Sequence, residues 1–279
     1  MPIHDQGYRR YQGTRAAVGR AWLVIATAGV RTLMAKRAFI ALLLLAWLPA
    51  VVRAVQIYAA SNLPQAQFLA PDARLFRNFL QQQEVFLFFI TVYAGTGLIA
   101  NDRRANALQI YLSKPLTRWE YIFGKFGVLM ALLLLVTWLP AVVLLIIQVL
   151  FAGSFTFFLD NLFLLPAITV YSIIQVTSVG LAMLALSSLS RSSRYVGVLY
   201  AGLIFFSQAV YGIVQSLTKD SSLAWLSVPM DLQQIGDAIF RLEPRFHMPV
   251  WSAFLMVAVL IAASAAVLER RVRGIEVIS

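Results

Sequence analysis

Six apolar runs, at about residues 38–59, 79–100, 122–151, 161–186, 195–217 and 250–268, set the terms for this 279-residue chain. A hydrocarbon layer about 30 Å thick is crossed by roughly 20 helical residues rising about 1.5 Å each, and every run meets that length. The third and fourth are long enough to tilt or to extend beyond the bilayer. Sixty per cent of residues are hydrophobic and 13% charged, where a soluble domain is about a quarter charged; mean hydropathy is +0.77. The expected fold class is therefore an all-α membrane protein with six transmembrane helices. Residues 1–279 are expected to form a single transmembrane domain with no soluble module. Pro49, Pro140 and Pro166 lie inside the first, third and fourth runs, where a missing N–H can kink a helix.

Charge gives the orientation. Six spans place both termini on one side, and 17 of the 23 Lys and Arg fall on that side, whereas five of the twelve acids do. Positive residues mark the cytoplasmic face, so both termini are expected in the cytoplasm. The isoelectric point near 10.3 then reflects topology and calls for no nucleic-acid partner. Cysteine is absent, which removes disulfides, thiolate metal sites and cysteine nucleophiles.

Ahead of the first span, Val18, Trp22, Ile25, Ala26, Gly29 and Leu33 share a helical face opposite Arg20, Thr27 and Arg31. That pattern predicts an amphipathic helix lying in the membrane interface. A cleaved signal peptide fits less well, because only Lys36-Arg37 separates this segment from the next apolar run. Between the last two spans, Leu232, Ile235, Ile239 and Leu242 recur behind Pro229, with Asp231, Gln233, Gln234, Asp237 and Arg241 on other faces. A short amphipathic helix resting at the outer surface is expected there.

The most organised polar stretch runs from Asn101 to Lys125. Asn101 or Asp102 can cap a helix whose Ala105, Leu108 and Leu112 share a face, with Ile110 and Tyr111 flanking. Ser113-Lys114-Pro115 ends it, because Lys114 precedes proline. Thr117-Arg118-Trp119-Glu120 reads as a capping box that starts the third span. A loop that only reversed the chain could be much shorter.

The run Gly97-Leu98-Ile99-Ala100-Asn101-Asp102-Arg103-Arg104, then Leu112-Ser113-Lys114-Pro115-Leu116-Thr117-Arg118 and Gly124-Lys125, resembles the membrane subunit of type-2 ABC transporters. In that family the corresponding loop carries a coupling helix. The resemblance implies a permease that works as a dimer, homodimeric or with a close paralogue, and binds two copies of a cytoplasmic ABC ATPase. Asp102, Arg103, Arg104, Leu108, Tyr111, Lys114 and Arg118 would make the coupling contact. The permease itself would hold no cofactor, with ATP and Mg in the partner. It also implies export across the plasma membrane of a prokaryote.

Other motifs yield structural readings. Gly124-Lys125 is the nearest approach to a phosphate loop, but Trp119 stands in place of the first glycine and Phe126 in place of the hydroxyl, so ATP hydrolysis belongs to a partner. Gly95-Thr96-Gly97 lies within a span and reads as helix packing through small residues. His4 and His247 fall on opposite faces and cannot share a metal.

Charges within spans invite functional hypotheses. Arg53 and Glu84 sit at similar depth, so a structural ion pair and a pathway role for Glu84, on a stripe with Phe88, Thr91 and Gly95, both stand open. Gln208, Tyr211 and Gln215 are spaced for one face and are further pathway candidates. Two other classes compete with the permease reading: a secondary transporter or channel, which would carry inverted repeats or paired broken helices, and a scaffold that recruits a partner but moves nothing.

Overall fold

The computed structural model describes residues 21–63, 65, 71–107, 116–151 and 156–272. They are helical almost throughout: α1 (Ala21–Met34), α2 (Arg37–Asn62), α3 (Ala73–Gly95), α4 (Gly97–Arg104), α5 (Arg118–Val136), α6 (Trp138–Phe151), α7 (Thr156–Asp160), α8 (Leu164–Leu189), α9 (Ser193–Thr218), a 3-10 turn (Ala224–Leu226), α10 (Val228–Ile239) and α11 (Val250–Arg271). Among the described residues, six helical stretches are long and apolar enough to cross a membrane: α2, α3 with α4, α5 with α6, α8, α9 and α11.

The third span bends where proline chemistry requires it. Pro140 has no N–H for the carbonyl of Val136 and its ring crowds that carbonyl. The helix accordingly breaks at Thr137, with φ −107° and ψ −70°, while the Thr137 hydroxyl donates to the Leu133 carbonyl at 2.9 Å. Pro49 stays inside α2; nearby, the Ala46 carbonyl accepts from the buried Gln83 Nε2 at 3.0 Å. Pro166 makes no kink. α8 begins at Leu164, so this proline sits in the first turn, whose N–H groups have no intrahelical acceptor anyway.

α8 is the axis of the bundle, with 67% of its most apolar window buried against 22% or less for α2, α9 and α11. Its apolar residues feed two cores. One joins Leu33, Ile99, Tyr121, Val128, Met183 and Leu268 at the end carrying Asp102. The other joins Ile57, Phe79, Tyr171, Ile235, Phe240 and Met248 at the opposite end. Outward faces remain apolar: Leu44, Val51, Phe206, Leu217 and Trp251 are exposed. A hydrocarbon solvent covers such faces at no cost, whereas water would not.

α1 is an apolar helix with Thr27 and Arg31 but also Leu23 and Val24 exposed. Val18 and Arg20 of the expected pattern lie outside the described residues, and the inner face of α1 packs closely on α5. Cβ atoms at Gly29 and Gly124 would lie 2.5 Å from the Val128 side chain and 2.7 Å from the Ile25 side chain. These glycines let the two helices approach almost backbone to backbone.

α10 departs from the surface-helix expectation. Leu232 and Ile235 are buried, but so are Asp231, Gln234, Gly236 and Asp237. The helix is folded into the bundle and packs on α3, α8, α9 and α11. Asp237 meets Arg77 and Arg245, and Gln234 donates to the Phe246 and Met248 carbonyls. The sharp exit at Arg241 (φ 58°) sets that guanidinium over the Phe163 ring, 4.7 Å from its centroid.

Candidate functional site

At the Asp102 end, the second span ends in a loop root built by three helices. Helix α4 restarts after Thr96, which leaves the first N–H groups of the new turn in need of acceptors. Ser187 on α8 supplies one from outside: its Oγ accepts from the N–H of Ile99 and Ala100 at 3.1 and 3.0 Å and donates to the Thr96 carbonyl at 2.9 Å. Arg103 donates from Nη1 to the Ser188 carbonyl. α4 is thereby stitched to the end of α8.

Asn101 or Asp102 is expected to cap a following helix, most of which lies outside the described residues. They lie in the last turns of α4, because Ser187 allows the second span to continue that far, and Asn106 then leaves the helix with φ 53°. Asp102 has a different task. Its Oδ2 is 2.7 Å from Lys125 Nζ and accepts from the Tyr121 hydroxyl at 2.7 Å, so both bonds tie the end of α4 to the first turns of α5. The acid would oppose the negative end of the helix dipole, and Lys125 offsets that.

The capping box forms as predicted. The Thr117 Oγ1 accepts from Glu120 N at 3.2 Å, and Glu120 Oε2 accepts from Thr117 N at 2.9 Å. Arg104 and Arg118 are exposed, as is Trp119 at 49%. Of the remaining coupling candidates, Leu108, Tyr111 and Lys114 lie outside the described residues, as does most of the expected crosswise helix. A cavity of about 600 Å³ adjoins the Asp102–Lys125 pair, bounded by α1, α3, α4 and α5 and lined by Lys36, Tyr93, Asn101 and Ser193 among others.

The opposite end holds a polar cluster that sequence inspection missed. Arg77 is fully buried, with Nε 3.0 Å from Asp237 Oδ1 and Nη2 donating to the Gln233 carbonyl at 2.9 Å; its guanidinium lies 5.2 Å from the Tyr171 ring centroid. Arg245 reaches Asp237 Oδ2 at 3.0 Å and donates to Gln81 and Asn78 at 2.7 and 3.2 Å. The available signal was the Asp237–Arg245 pair flanking a turn, with Arg77 at the mouth of a span.

Arg53 and Glu84 are not brought together as an ion pair. Arg53 donates to Gln56 Oε1 at 2.8 Å and to Gln82 Oε1 at 3.4 Å, while Glu84 Oε2 faces Gln233 Nε2 at 3.5 Å. The two side chains turn to different partners. Glu84 and Gln208 line one cavity of about 380 Å³. Thr91 is buried without lining it, Tyr211 packs edge-on to Phe246 with centroids 6.1 Å apart, and Gln215 is exposed. Of the α9 candidates, Gln208 lines this cavity and Tyr211 and Gln215 do not.

Six apolar helical stretches, a small-residue contact between α1 and the third span, and a pinned polar loop root define a multi-pass membrane protein. Residues 23–268 match the family model described as ABC-2 family transporter protein. The chain belongs to that family, and is thus a membrane component of an ABC transporter, a class that works with an ATPase partner. A comparison with curated proteins gave no match.

Proposed function

We propose that the chain is the permease of an ABC exporter, pairing as a dimer and receiving two ATPase subunits at the Asp102 end. The observation that carries this is the rigid root of the loop. Asp102, Tyr121 and Lys125 lock α4 to α5, and Ser187 locks α4 to α8, so a force applied to the intervening loop is delivered to three spans at once. A loop serving only as a connection needs no such bracing. Asp102 and Arg103 are supports within this scheme, and the exposed Arg104 and Arg118, together with Leu108, Tyr111 and Lys114, make the contact.

In this reading the permease supplies no catalytic group. ATP and Mg are held by the partner, and closure of the two ATPase subunits moves the loop roots. The termini and the loop face the cytoplasm and the protein resides in the plasma membrane, in line with the 17 of 23 Lys and Arg on that face.

Two measurements test it. The chain has no cysteine, so a single cysteine at Arg118 reports sidedness cleanly; a membrane-impermeant maleimide should label it in inverted vesicles and not in intact cells. Co-expression with candidate ABC ATPases from the same genome should yield, for one of them, a complex with two ATPases per two permeases, and recovery of the permease alone with every one of them would defeat the assignment.

A further inference from the structure

We propose that the cavity between α3, α8, α9 and α10 binds an apolar ligand bearing a protonated amine, with Glu84 and Gln175 as the acceptors for its N–H groups. This rests on the permease reading only for the ligand's meaning as cargo. Binding itself is a property of this chain.

The cavity, of about 380 Å³, falls within the range of small-molecule sites, and most of its lining is apolar, including Phe88, Phe205, Val179 and Ile204. Among these surfaces sit polar groups with nothing to do. Gln175 is fully buried, and neither its amide oxygen nor its nitrogen has a hydrogen-bond partner. Glu84 Oε1 is likewise buried and unpartnered. Leaving such groups unsatisfied costs about 1–3 kcal/mol each, so a fold that keeps several of them around one cavity is complementary to a ligand that satisfies them.

For Glu84 Oε1 and the Gln175 amide oxygen the missing chemistry is a donor. Among the described residues Glu84 makes no ion pair: Arg77 and Arg245 turn their Nε to Asp237, Arg77 gives Nη2 to the Gln233 carbonyl and leaves Nη1 without a partner, and Arg245 spends further hydrogens on Gln81 and Asn78. A carboxylate oxygen and an amide oxygen offer two acceptors to an ammonium group, which has three donors and no acceptor. The aromatic walls favour the same class. Phe88 stacks on Tyr200 with centroids 5.6 Å apart and meets Phe205 edge-on at 5.2 Å, and ring faces attract cations while holding an apolar body. Val85, Phe89 and Phe205 are exposed beside the cavity, which opens it toward the side a hydrocarbon layer would occupy.

The test uses the full-length protein in lipid nanodiscs and a fluorescent amine, dansylcadaverine, against its N-acetylated form, with empty nanodiscs subtracted. The amine should bind at least tenfold more tightly than the acetylated probe, and Glu84→Gln should abolish that preference. Phe205→Trp, at the exposed mouth, should weaken both probes by partly filling the space, which gives a second readout should Glu84→Gln fail to fold. Equal binding of the two probes, or an amine preference that survives Glu84→Gln, would overturn the proposal. Amine selectivity in a protein that recruits no ATPase would uphold this site and sink the permease reading instead.

Discussion

Gly236 and Arg77 fit together so closely that a Cβ on the glycine would collide with the arginine Nε. The guanidinium occupies the space a side chain would need, and from there it reaches Asp237. Gly236→Ala should therefore destabilise the protein by about 1–3 kcal/mol, the range for overpacking a core. Arg77→Met should cost more, about 3–5 kcal/mol, because it removes one partner of a buried charge pair. Thermal unfolding of the purified variants measures both. A Gly236→Ala protein as stable as the parent would show that α10 does not depend on this packing.

Asp231 gives a pH dependence. It is 2% exposed, its Oδ1 has no hydrogen-bond partner, and burial raises its pKa from an ordinary 3.8 to about 8. The folded state thus keeps a proton that the unfolded chain releases at much lower pH. With the folded pKa the higher of the two, this contribution is fully present below 3.8 and is lost as pH rises toward about 8. Asp231→Asn cannot ionise, so its melting temperature should gain on the parent steadily from pH 5 to pH 8. Parallel pH profiles for the two proteins would show that Asp231 is not held protonated.

What could be read in the sequence divides along physical lines. The spans were legible because about 20 apolar residues in a row have few other uses, and the Thr117–Glu120 box because its partners are adjacent in the chain. Gly124 drew notice as part of a motif, but its packing against α1 needed the structure. The buried polar side of α10 was not legible, since a 3.6-residue period looks the same whether its polar face meets water or Arg77. That Arg53 turns to Gln56 and Glu84 to Gln233 was not legible, because rotation about the helix axis depends on packing. The reach of α4 past Asn101 depended on Ser187, 86 positions away from Asn101 in the chain.

Ser187 makes a sharp prediction of its own. It caps α4 from another helix, and Ser187→Ala would leave the N–H groups of Ile99 and Ala100 without that acceptor. A loss of about 1–3 kcal/mol is expected, with Ser187→Thr recovering part of it by restoring a hydroxyl. Hydrogen exchange should locate the change, speeding at Ile99 and Ala100 while the interior of α8 stays protected. Uniformly faster exchange across the bundle would mean that the serine supports the fold generally and does not cap α4.

Support and contact at the loop root separate by mutation. Asp102 is pinned by Lys125 and Tyr121, so Asp102→Asn should lower stability and, by loosening the root, reduce coupling between ATP hydrolysis and transport. The exchange Asp102→Lys with Lys125→Asp should restore part of the stability, since the pair survives with its charges swapped. Arg104 and Arg118 are exposed, and substitutions at such positions usually change stability by no more than about 0.5 kcal/mol. Arg104→Glu with Arg118→Glu should leave the melting temperature near that of the parent while cutting ATPase recovery in a pull-down at least tenfold. Full recovery of the ATPase with both charges reversed would remove these arginines from the docking surface and leave the contact to the remainder of the loop.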